Sequence, residues 1–215
     1  MIDQKKAQNS AAKMLHKQYF EDTCVEIQEF INRWDVLTEH HYDAYLRREC
    51  SYEEQRIRRV TDIFALYSVH MPKPALEIYD EYLFYFESGW SAYPDIKDAL
   101  LGLDGYELGI ITNGDRSQQI KKLTAAGIDG YFKHIICAGD YPFAKPDKAL
   151  FQIAIEKSGA DKDSFIYVGD NITTDIAPCL EMGVKCVYIN RSGDGSADTY
   201  VIRDMRELAE LVKGL

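Results

Sequence analysis

FIYVGDNITTDI, residues 165–176, joins an apolar run to two aspartates that lie five residues apart. The run is typical of a short buried strand, and the polar segment after it is typical of a helix start, which Asp commonly caps. Helix capping explains Asp170 or Asp175 when each is considered singly. An open parallel sheet, however, presents its ligands just beyond the carboxyl ends of its strands, where this pair falls. The stretch therefore predicts a strand-to-helix turn that carries a polar site.

Short apolar runs alternate with helical patterns throughout residues 91–215. The predicted strands are ELGIIT, HIICA, FIYVG, KCVYIN and a short YVI near the end of the chain. Helices are predicted between them, one ending at Gly127, one opened by Pro146 and Asp147, and one ending near Gly183. Strands that alternate with helices favour βαβ units. We therefore predict an α/β fold, with a Rossmann-like parallel-sheet core over residues 91–215.

Residues 1–90 have a different pattern. Apolar residues recur there at helical spacing, as in VEIQEFINRWDVL and RIRRVTDIFALY, and no segment has the alternation of a strand. The SYEE sequence at 51–54 has the spacing of a capping box, which marks a helix start. This pattern predicts an α-helical domain over residues 1–90.

Composition excludes several classes of partner. The chain has 215 residues, 35 acidic and 25 basic, with a formal net charge of -10. Such a surface repels nucleic acid and anionic membranes, so neither is an expected partner. No stretch approaches the roughly 20 apolar residues that a membrane span needs. The five cysteines are scattered and lack C-x-x-C spacing, which indicates reduced thiols in a cytoplasmic protein rather than a disulfide or metal framework.

Polar residues follow three of the predicted strands. Thr112 and Asn113 follow ELGII, Lys145 lies in the loop after HIICAGD, and Asp170 follows FIYV with Asp175 beyond it. A hydroxyl and a backbone N–H for phosphoryl oxygens, a lysine for their charge and two carboxylates for a cation together indicate metal-assisted phosphoryl transfer. Oxygen ligands favour Mg²⁺ over zinc.

These segments, together with QIKKLTAAGIDGYF, AKPDKALFQIAIEKSG and YVGDNITTDIAPCLEMGVKCVYINR, resemble the haloacid dehalogenase superfamily. The resemblance is to the phosphatase branch with a helical cap inserted after the first strand, and it covers nearly the whole chain. It implies that residues 1–90 are the cap. It also implies a Mg²⁺-dependent hydrolase that cleaves phosphate monoesters of small metabolites, nucleotide or sugar phosphates, through an aspartyl-phosphate.

The same resemblance implies a role for each candidate site residue. Thr112 would hydrogen-bond the transferring phosphoryl group, with the Asn113 backbone beside it. Lys145 would balance the negative charge of nucleophile and phosphate. Asp170 would bind Mg²⁺, and Asp175 would bind the ion directly or orient its ligands.

One family motif has no counterpart in the sequence. Family members begin with a strand that ends in Asp-x-Asp-x-Thr/Ser, which supplies the nucleophile and the general acid/base, and no such motif occurs in the 215 residues. The first core strand is therefore expected to be missing between ELGII and FIYV, and Asp3 is expected to be a solvated or capping residue at the start of the first helix. We expect the sequence as given to be truncated and inactive. The alternative is a degenerate protein that binds phosphate or metal without turnover.

Other assignments are weaker. A haloacid dehalogenase proper acts on carbon without Mg²⁺, and GDNITTD favours the phosphatases over it. A mutase would need the same absent nucleophile, and a response-regulator receiver has no large helical insertion. The sequence contains no dinucleotide-binding or P-loop glycine motif. It leaves the substrate and the oligomeric state open.

Three features of residues 1–90 receive structural interpretations. Glu39, His40 and His41 are adjacent on a helix, so they point in different directions and are expected to be exposed rather than metal-binding. The aromatic residues of IYDEYLFYFESGW, 78–90, are expected to pack inside the helical domain, with lining of a substrate pocket at the active-site entrance as the alternative for some of them. Three arginines are expected to form a solvated helix face, with substrate binding as the alternative: Arg56, Arg58 and Arg59.

Overall fold

The computed structural model describes residues 1–193 and 197–215. They form two compact units. The helical unit is Ile2–Ser91, and the core unit is Ala92–Leu215 together with Met1. Among the described residues, no helix is both long and apolar enough to cross a membrane.

Side-chain caps mark the starts of two helices of the helical unit. The Asp3 side chain accepts a hydrogen bond from the Lys6 N–H at 3.0 Å, which confirms its predicted capping role. Ser51 and Glu54 form the predicted capping box, each side chain bonding the other's backbone N–H. The unit consists of four helices: α1 (Gln4–Tyr19), α2 (Ile27–Leu46), α3 (Tyr52–Leu66) and α4 (Ala75–Ser88).

Aromatic side chains fill the interior of the helical unit. Phe20, Phe30 and Trp34 are fully buried and contact one another in a chain of rings, with Phe20 and Phe30 centroids 4.8 Å apart. Helix α4 adds the buried Tyr82, whose ring lies 4.7 Å from that of Trp34. The prediction that the aromatic residues of 78–90 pack inside this unit is thus confirmed, although Phe84 lies 68% exposed.

Two predictions for the surface of this unit are partly wrong, although Glu39 and His40 are exposed as expected. The arginines of α3 do not form a solvated face, because Arg59 is buried and Arg56 is half-buried, and only Arg58 is exposed. His41 is also buried, and its Nε2 lies 2.7 Å from Asp62 Oδ2. The reason is that α3 contacts both α2 and α4, so two of its sides are covered.

The core unit alternates strands with helices, as predicted. Its strands are β1 (Gly109–Thr112), β2 (His134–Cys137), β3 (Ile166–Gly169), β4 (Lys185–Ile189) and β5 (Tyr200–Ile202). Its α-helices are α5 (Ile96–Gly102), α6 (Arg116–Ala126), α7 (Lys148–Ser158), α8 (Ala177–Glu181) and α9 (Leu208–Leu211). Helices α6 and α7 each end at a glycine in the left-handed region, Gly127 and Gly159, as expected for helix C-caps.

All strand pairings of the core unit are parallel, which confirms the predicted α/β class. β1 pairs with β2, and β4 lies between β3 and β5. Among the described residues, β1 and β3 therefore each have a hydrogen-bonded neighbour on one side. These are the two strands between which the family resemblance predicts a further strand.

Candidate active site

A buried ion pair lies at the centre of the candidate site. Lys145 Nζ donates to Asp175 Oδ1 at 2.6 Å, and the two side chains are 13% and 4% exposed. Lys145 comes from the loop after β2, and Asp175 comes from the helical turn after β3. Because few water molecules reach either charge, the attraction between them is screened far less than at the surface.

Tyr167 on β3 completes this cluster. Its hydroxyl donates to Asp175 Oδ1 at 2.8 Å and lies 3.2 Å from Lys145 Nζ. Burial, and then the negative charge of Asp175, raise the pKa of this hydroxyl well above its usual value. It therefore stays protonated and keeps donating to the carboxylate.

The second oxygen of Asp175 also has a donor. The Asn171 backbone N–H lies 3.2 Å from Oδ2. Between them, Lys145, Tyr167 and Asn171 present three donors to one carboxylate, a degree of satisfaction that a buried charge requires. The Asp175 carboxylate is thus fixed in one orientation.

Gly169, at the end of β3, allows Asp175 to lie against the backbone. A Cβ placed on Gly169 would come within 2.7 Å of Asp175 Cγ, closer than carbon atoms approach each other in proteins. No side chain fits there while Asp175 keeps its position. The glycine before Asp170 is therefore required by packing.

Asn113 ties the end of β1 to the backbone of Lys145. Its Nδ2 donates to the Lys145 carbonyl at 3.0 Å, and the Lys145 N–H donates to its Oδ1 at 2.7 Å. This pair of hydrogen bonds positions the loop that carries the lysine. The preceding Thr112 accepts a hydrogen bond from the Gly114 N–H at 3.1 Å, and its hydroxyl hydrogen can still be donated to another oxygen.

Asp170 differs from Asp175 in its exposure to solvent and in its hydrogen bonding. It is exposed, and its side chain forms no hydrogen bond or ion pair with any described residue. Its charge nevertheless acts on Tyr167, and contributes to the raised pKa of that hydroxyl, so it lies near the cluster. A free carboxylate just beyond a strand end fits Mg²⁺, which is commonly bound through one or two carboxylates and several waters.

No ready-made metal cage surrounds that carboxylate. Within residues 1–193 and 197–215, no group of three or more His, Cys, Asp or Glu side chains is arranged to hold an ion. Asp175 already has its three donors. Of the two aspartates, Asp170 is the one whose oxygens accept no hydrogen bond from a described residue.

The structure joins three of the five predicted site residues by direct hydrogen bonds: Asn113, Lys145 and Asp175. Thr112 lies beside them in the chain, and Asp170 stands apart as an exposed side chain.

Two residues of the cluster, Tyr167 and Asn171, were not predicted from the sequence. A tyrosine within an otherwise aliphatic buried strand is a signal for Tyr167, since its hydroxyl needs a partner there, whereas the Asn171 contact is made by a backbone N–H and has no sequence signal.

Comparison with known proteins gives a consistent result. The sequence profile of haloacid dehalogenase-like hydrolases matches residues 25–189. The chain is 31% identical over 130 residues to the glyceraldehyde 3-phosphate phosphatase of Methanocaldococcus jannaschii, covering 57% of each chain. It is 30% identical over 128 residues to the N-acylneuraminate-9-phosphatase of Rattus norvegicus, covering 56% of this chain and 52% of that one. The matched region thus spans little more than half the length of these relatives.

The fold is also found among solved structures. The magnesium-bound crystal structure of the HAD-hydrolase YfnB from Bacillus subtilis superposes with a TM-score of 0.79 at 20% identity. The match covers 98% of this chain and 93% of that one. At this level of identity the likeness establishes the fold.

Proposed function

The chain belongs to the haloacid dehalogenase-like hydrolase family, and from this premise we propose that it is built to hydrolyse phosphate monoesters of small metabolites. Relatives that bear phosphatase names support the reaction class, and they act on a triose phosphate and on a sugar-acid phosphate. The structural observation that carries the proposal is the fixed Lys145 ammonium, which is held by Asp175 and whose backbone is tied to Asn113 at the end of β1. A positioned cation next to hydroxyl and backbone donors is suited to the charge of a phosphoryl group.

Each predicted site residue has a part in the proposed reaction. The Thr112 hydroxyl and backbone N–H groups at the end of β1 bind phosphoryl oxygens. Lys145 offsets their negative charge, and Asp175 holds Lys145 in place through the 2.6 Å ion pair. Asn113 acts by positioning the lysine backbone. Substrate orientation by such groups, rather than covalent chemistry, supplies much of the catalysis in phosphoryl transfer.

We propose Mg²⁺ as the cofactor, with Asp170 as its ligand from this chain. When bound, the ion would polarise phosphoryl oxygens and neutralise their charge. Asp175 would act indirectly, because its two oxygens already accept hydrogen bonds from three donors. It would then orient the turn that carries Asp170.

The nucleophile is the part of the mechanism that these 215 residues do not contain. The family resemblance implies an aspartate that attacks phosphorus and forms an aspartyl-phosphate, and a second aspartate that assists as acid and base. Thr112 ends β1 and Asp170 follows β3. Among the described residues each of these strands pairs on one side, and a further strand between them would deliver such a group. We therefore propose that the sequence as given does not turn over alone.

The decisive experiment compares two proteins. The 215-residue chain and the product of the reading frame extended upstream would be assayed for Mg²⁺-dependent phosphate release from an aryl phosphate. We expect activity only in a longer protein that contributes an Asp-x-Asp-x-Thr/Ser strand. In that protein, Asp170→Asn should remove most activity and weaken Mg²⁺ binding, while Asp163→Asn, an exposed carboxylate before β3, should leave both unchanged. Full turnover by Asp170→Asn would refute the assignment.

Two other functions remain as outcomes of the same experiment. If the coding frame begins at Met1 and the chain is stable and inactive, a protein that binds phosphate or Mg²⁺ without catalysis becomes the better description; the absent motif favours it. Release of halide from a 2-haloacid without Mg²⁺ would instead indicate a dehalogenase.

The cellular setting follows from composition. We propose a cytoplasmic location, on the basis of five unpaired cysteines, three of them buried. We propose a small-molecule phosphate ester rather than nucleic acid as the partner, because the net charge of -10 disfavours polyanions.

A further inference from the structure

Arg59 differs from three other buried charged groups among the described residues. Asp175, Asp95 and His41 are each buried beside a group of opposite or complementary charge: Lys145, Arg191 and Asp62. Arg59 is 5% exposed and has no carboxylate partner among the described residues. Its acceptors are neutral, the Gln55 side-chain oxygen and, at 3.5 Å, the Tyr79 hydroxyl.

A second guanidinium lies nearby in the same state. Arg56 is one turn earlier on α3, half-buried, and stacked over the Tyr52 ring at 4.1 Å. Arg56 and Arg59 both approach the ring of Tyr79, at 5.2 and 5.7 Å from its centroid. The buried Nε–H of each arginine has no hydrogen-bond acceptor among the residues that the structure describes. Two like charges therefore share one ring, and each retains an unused donor.

This arrangement is unfavourable for the free protein. Removing a guanidinium from water without a compensating anion is costly, and two adjacent cations repel each other. Stacking on tyrosine offsets part of that cost. Groups in such unfavourable surroundings are candidates for functional sites, where a ligand supplies the missing charge.

We propose that Arg56 and Arg59 form a binding site for a small oxyanion, a carboxylate or a phosphate, within the helical unit. A guanidinium presents N–H donors in a planar fork that matches either group. Arg56 is the member of the pair that reaches solvent, so the anion would approach from its side. The proposal rests on residues of the helical unit alone and does not depend on the proposed phosphatase activity.

Tyrosine hydroxyls near the pair stay neutral and do not replace the anion. Burial raises the pKa of Tyr42 and Tyr82 far above the usual tyrosine value, even though Arg59 acts in the opposite direction. These groups therefore remain protonated at any physiological pH. The positive charge of Arg59 is not cancelled by a tyrosinate.

The first test observes the arginine Nε–Hε groups of the full 215-residue chain by ¹⁵N–¹H NMR. Inorganic phosphate and, separately, acetate would be titrated against sodium chloride at equal ionic strength. We expect the Arg56 and Arg59 signals to move to saturation with at least one oxyanion, while the signal of the exposed Arg58 does not move. Which anion acts distinguishes a phosphate site from a carboxylate site. Because the readout is local, phosphate that binds in the core unit does not interfere.

Absence of any shift with both anions would overturn the proposal, and so would equal shifts of all three arginines, which would indicate general screening. In Arg59→Gln, the remaining Arg56 signal should require at least a tenfold higher anion concentration. Arg58→Gln is the matched control, and it should titrate like the unmodified chain.

A second test separates a binding role from a structural one. Arg59→Met keeps the side chain's bulk and removes its charge. If Arg59 serves a ligand, this variant should have the same or a higher urea midpoint than the unmodified chain in anion-free buffer. A clearly lower midpoint, or failure to fold, would show that Arg59 is a structural residue and would overturn the proposal. Arg58→Met serves as the control.

Discussion

The carboxylates of Asp175 and Asp170 carry the same charge and have opposite surroundings. Asp175→Asn would remove the partner of the buried Lys145 ammonium, and breaking a buried pair on one side costs about 3–5 kcal/mol. We expect the free energy of unfolding to fall by roughly that amount. Urea unfolding followed by circular dichroism measures it.

Asp170→Asn is the control for this change, because Asp170 is exposed and has no partner among the described residues. It should alter the free energy of unfolding by no more than about 0.5 kcal/mol. Equal destabilisation by the two substitutions would contradict the distinction drawn between them.

Gly169 gives a second prediction for single residues. Gly169→Ala would place a methyl group 2.7 Å from Asp175 Cγ, so the carboxylate or the strand must shift. We expect a loss of stability of about 1–3 kcal/mol, typical of overpacking. Gly130→Ala is the matched control, since a Cβ there meets no atom within 4 Å, and it should be neutral or slightly stabilising. A neutral Gly169→Ala would show that the Asp175 position is adaptable.

Sequence patterns placed single residues correctly along the chain where the end of a strand or the start of a helix fixes their position. Thr112 and Lys145 were located by the strand ends that precede them, and Asp3 by its place before a helix. Arg59 and His41 were placed wrongly because their burial depends on α3 packing against two other helices. Helical spacing on one element does not reveal how many neighbours that element has.

At the scale of elements, the strands of the core unit differ in how many sides are paired. Val187 and Tyr188 of β4 face β3 on one side and β5 on the other, so their backbone groups have partners in both directions. Ile110 and Ile111 of β1 face only β2. Alternate amides of a parallel strand point to opposite sides, so one of these two should lack a strand partner.

Hydrogen exchange measured by NMR tests this difference. We expect slow exchange for both β4 amides, and slow exchange for only one of the two β1 amides. Equal protection of both β1 amides would mean that another segment covers that edge in solution.

The start of α5 is linked to the segment before α9 through one buried carboxylate. Asp95 Oδ2 accepts from the Met205 N–H at 2.7 Å and lies 2.9 Å from Arg191. Burial alone would raise the pKa of Asp95, but the Met205 N–H and the Arg191 charge outweigh it, so the pKa is lowered. The stabilising contribution is therefore complete above the ordinary aspartate pKa of about 4 and is lost as the pH falls through the lower, folded-state value.

Asp95→Asn tests that linkage. At neutral pH it should lower the free energy of unfolding by about 1.5–3 kcal/mol, as expected for a hydrogen bond to a charged group. The deficit should shrink as the pH is lowered below about 4, measured by urea unfolding at a series of pH values. Asp98→Asn, an exposed change on the same helix, should show no such trend. A deficit that is constant with pH would contradict the role of the charge.

The regular strands and helices were predicted more reliably than the irregular turn that follows β3. All five strands and the glycine-terminated helices follow from apolar runs and from residues with fixed conformational preferences. The turn after β3 is a π-helical segment, Ile172–Ile176, followed by α8. Its widened geometry depends on the Asp175 contacts, which involve residues far apart in the chain, so local pattern does not predict it.

At the scale of the whole molecule, each unit has hydrophobic clusters of its own. The cluster of the helical unit runs from Ala7 to Trp90, and two clusters of the core unit consist of residues after 110. We expect a fragment of residues 2–91 to fold alone, because its core is complete within it. Far-ultraviolet circular dichroism should show a helical spectrum with a cooperative thermal transition. The same fragment with Phe64→Ala should melt at a lower temperature, and an unfolded parent fragment would contradict the expectation.

The class of fold was accessible from sequence because it depends on the alternation of patterns along the chain. The family assignment extends that inference to a hydrolase with phosphatase relatives. The substrate was not accessible, since it depends on which side chains meet in three dimensions. The Arg56 and Arg59 pair illustrates this point. The proposal of an anion site there depends on the lack of a carboxylate partner among the described residues, which only the three-dimensional structure reveals.

The placement of the two tryptophans, Trp34 and Trp90, has a practical consequence. Both lie in the helical unit, and both are buried against aromatic rings, Trp34 against Tyr82 and Trp90 against Phe86. When excited at wavelengths that tyrosine does not absorb, the intrinsic fluorescence of this chain is emitted by the helical unit alone. Any change in emission on adding phosphate or Mg²⁺ is therefore reported by a tryptophan of the helical unit, because the core unit contributes no tryptophan emission.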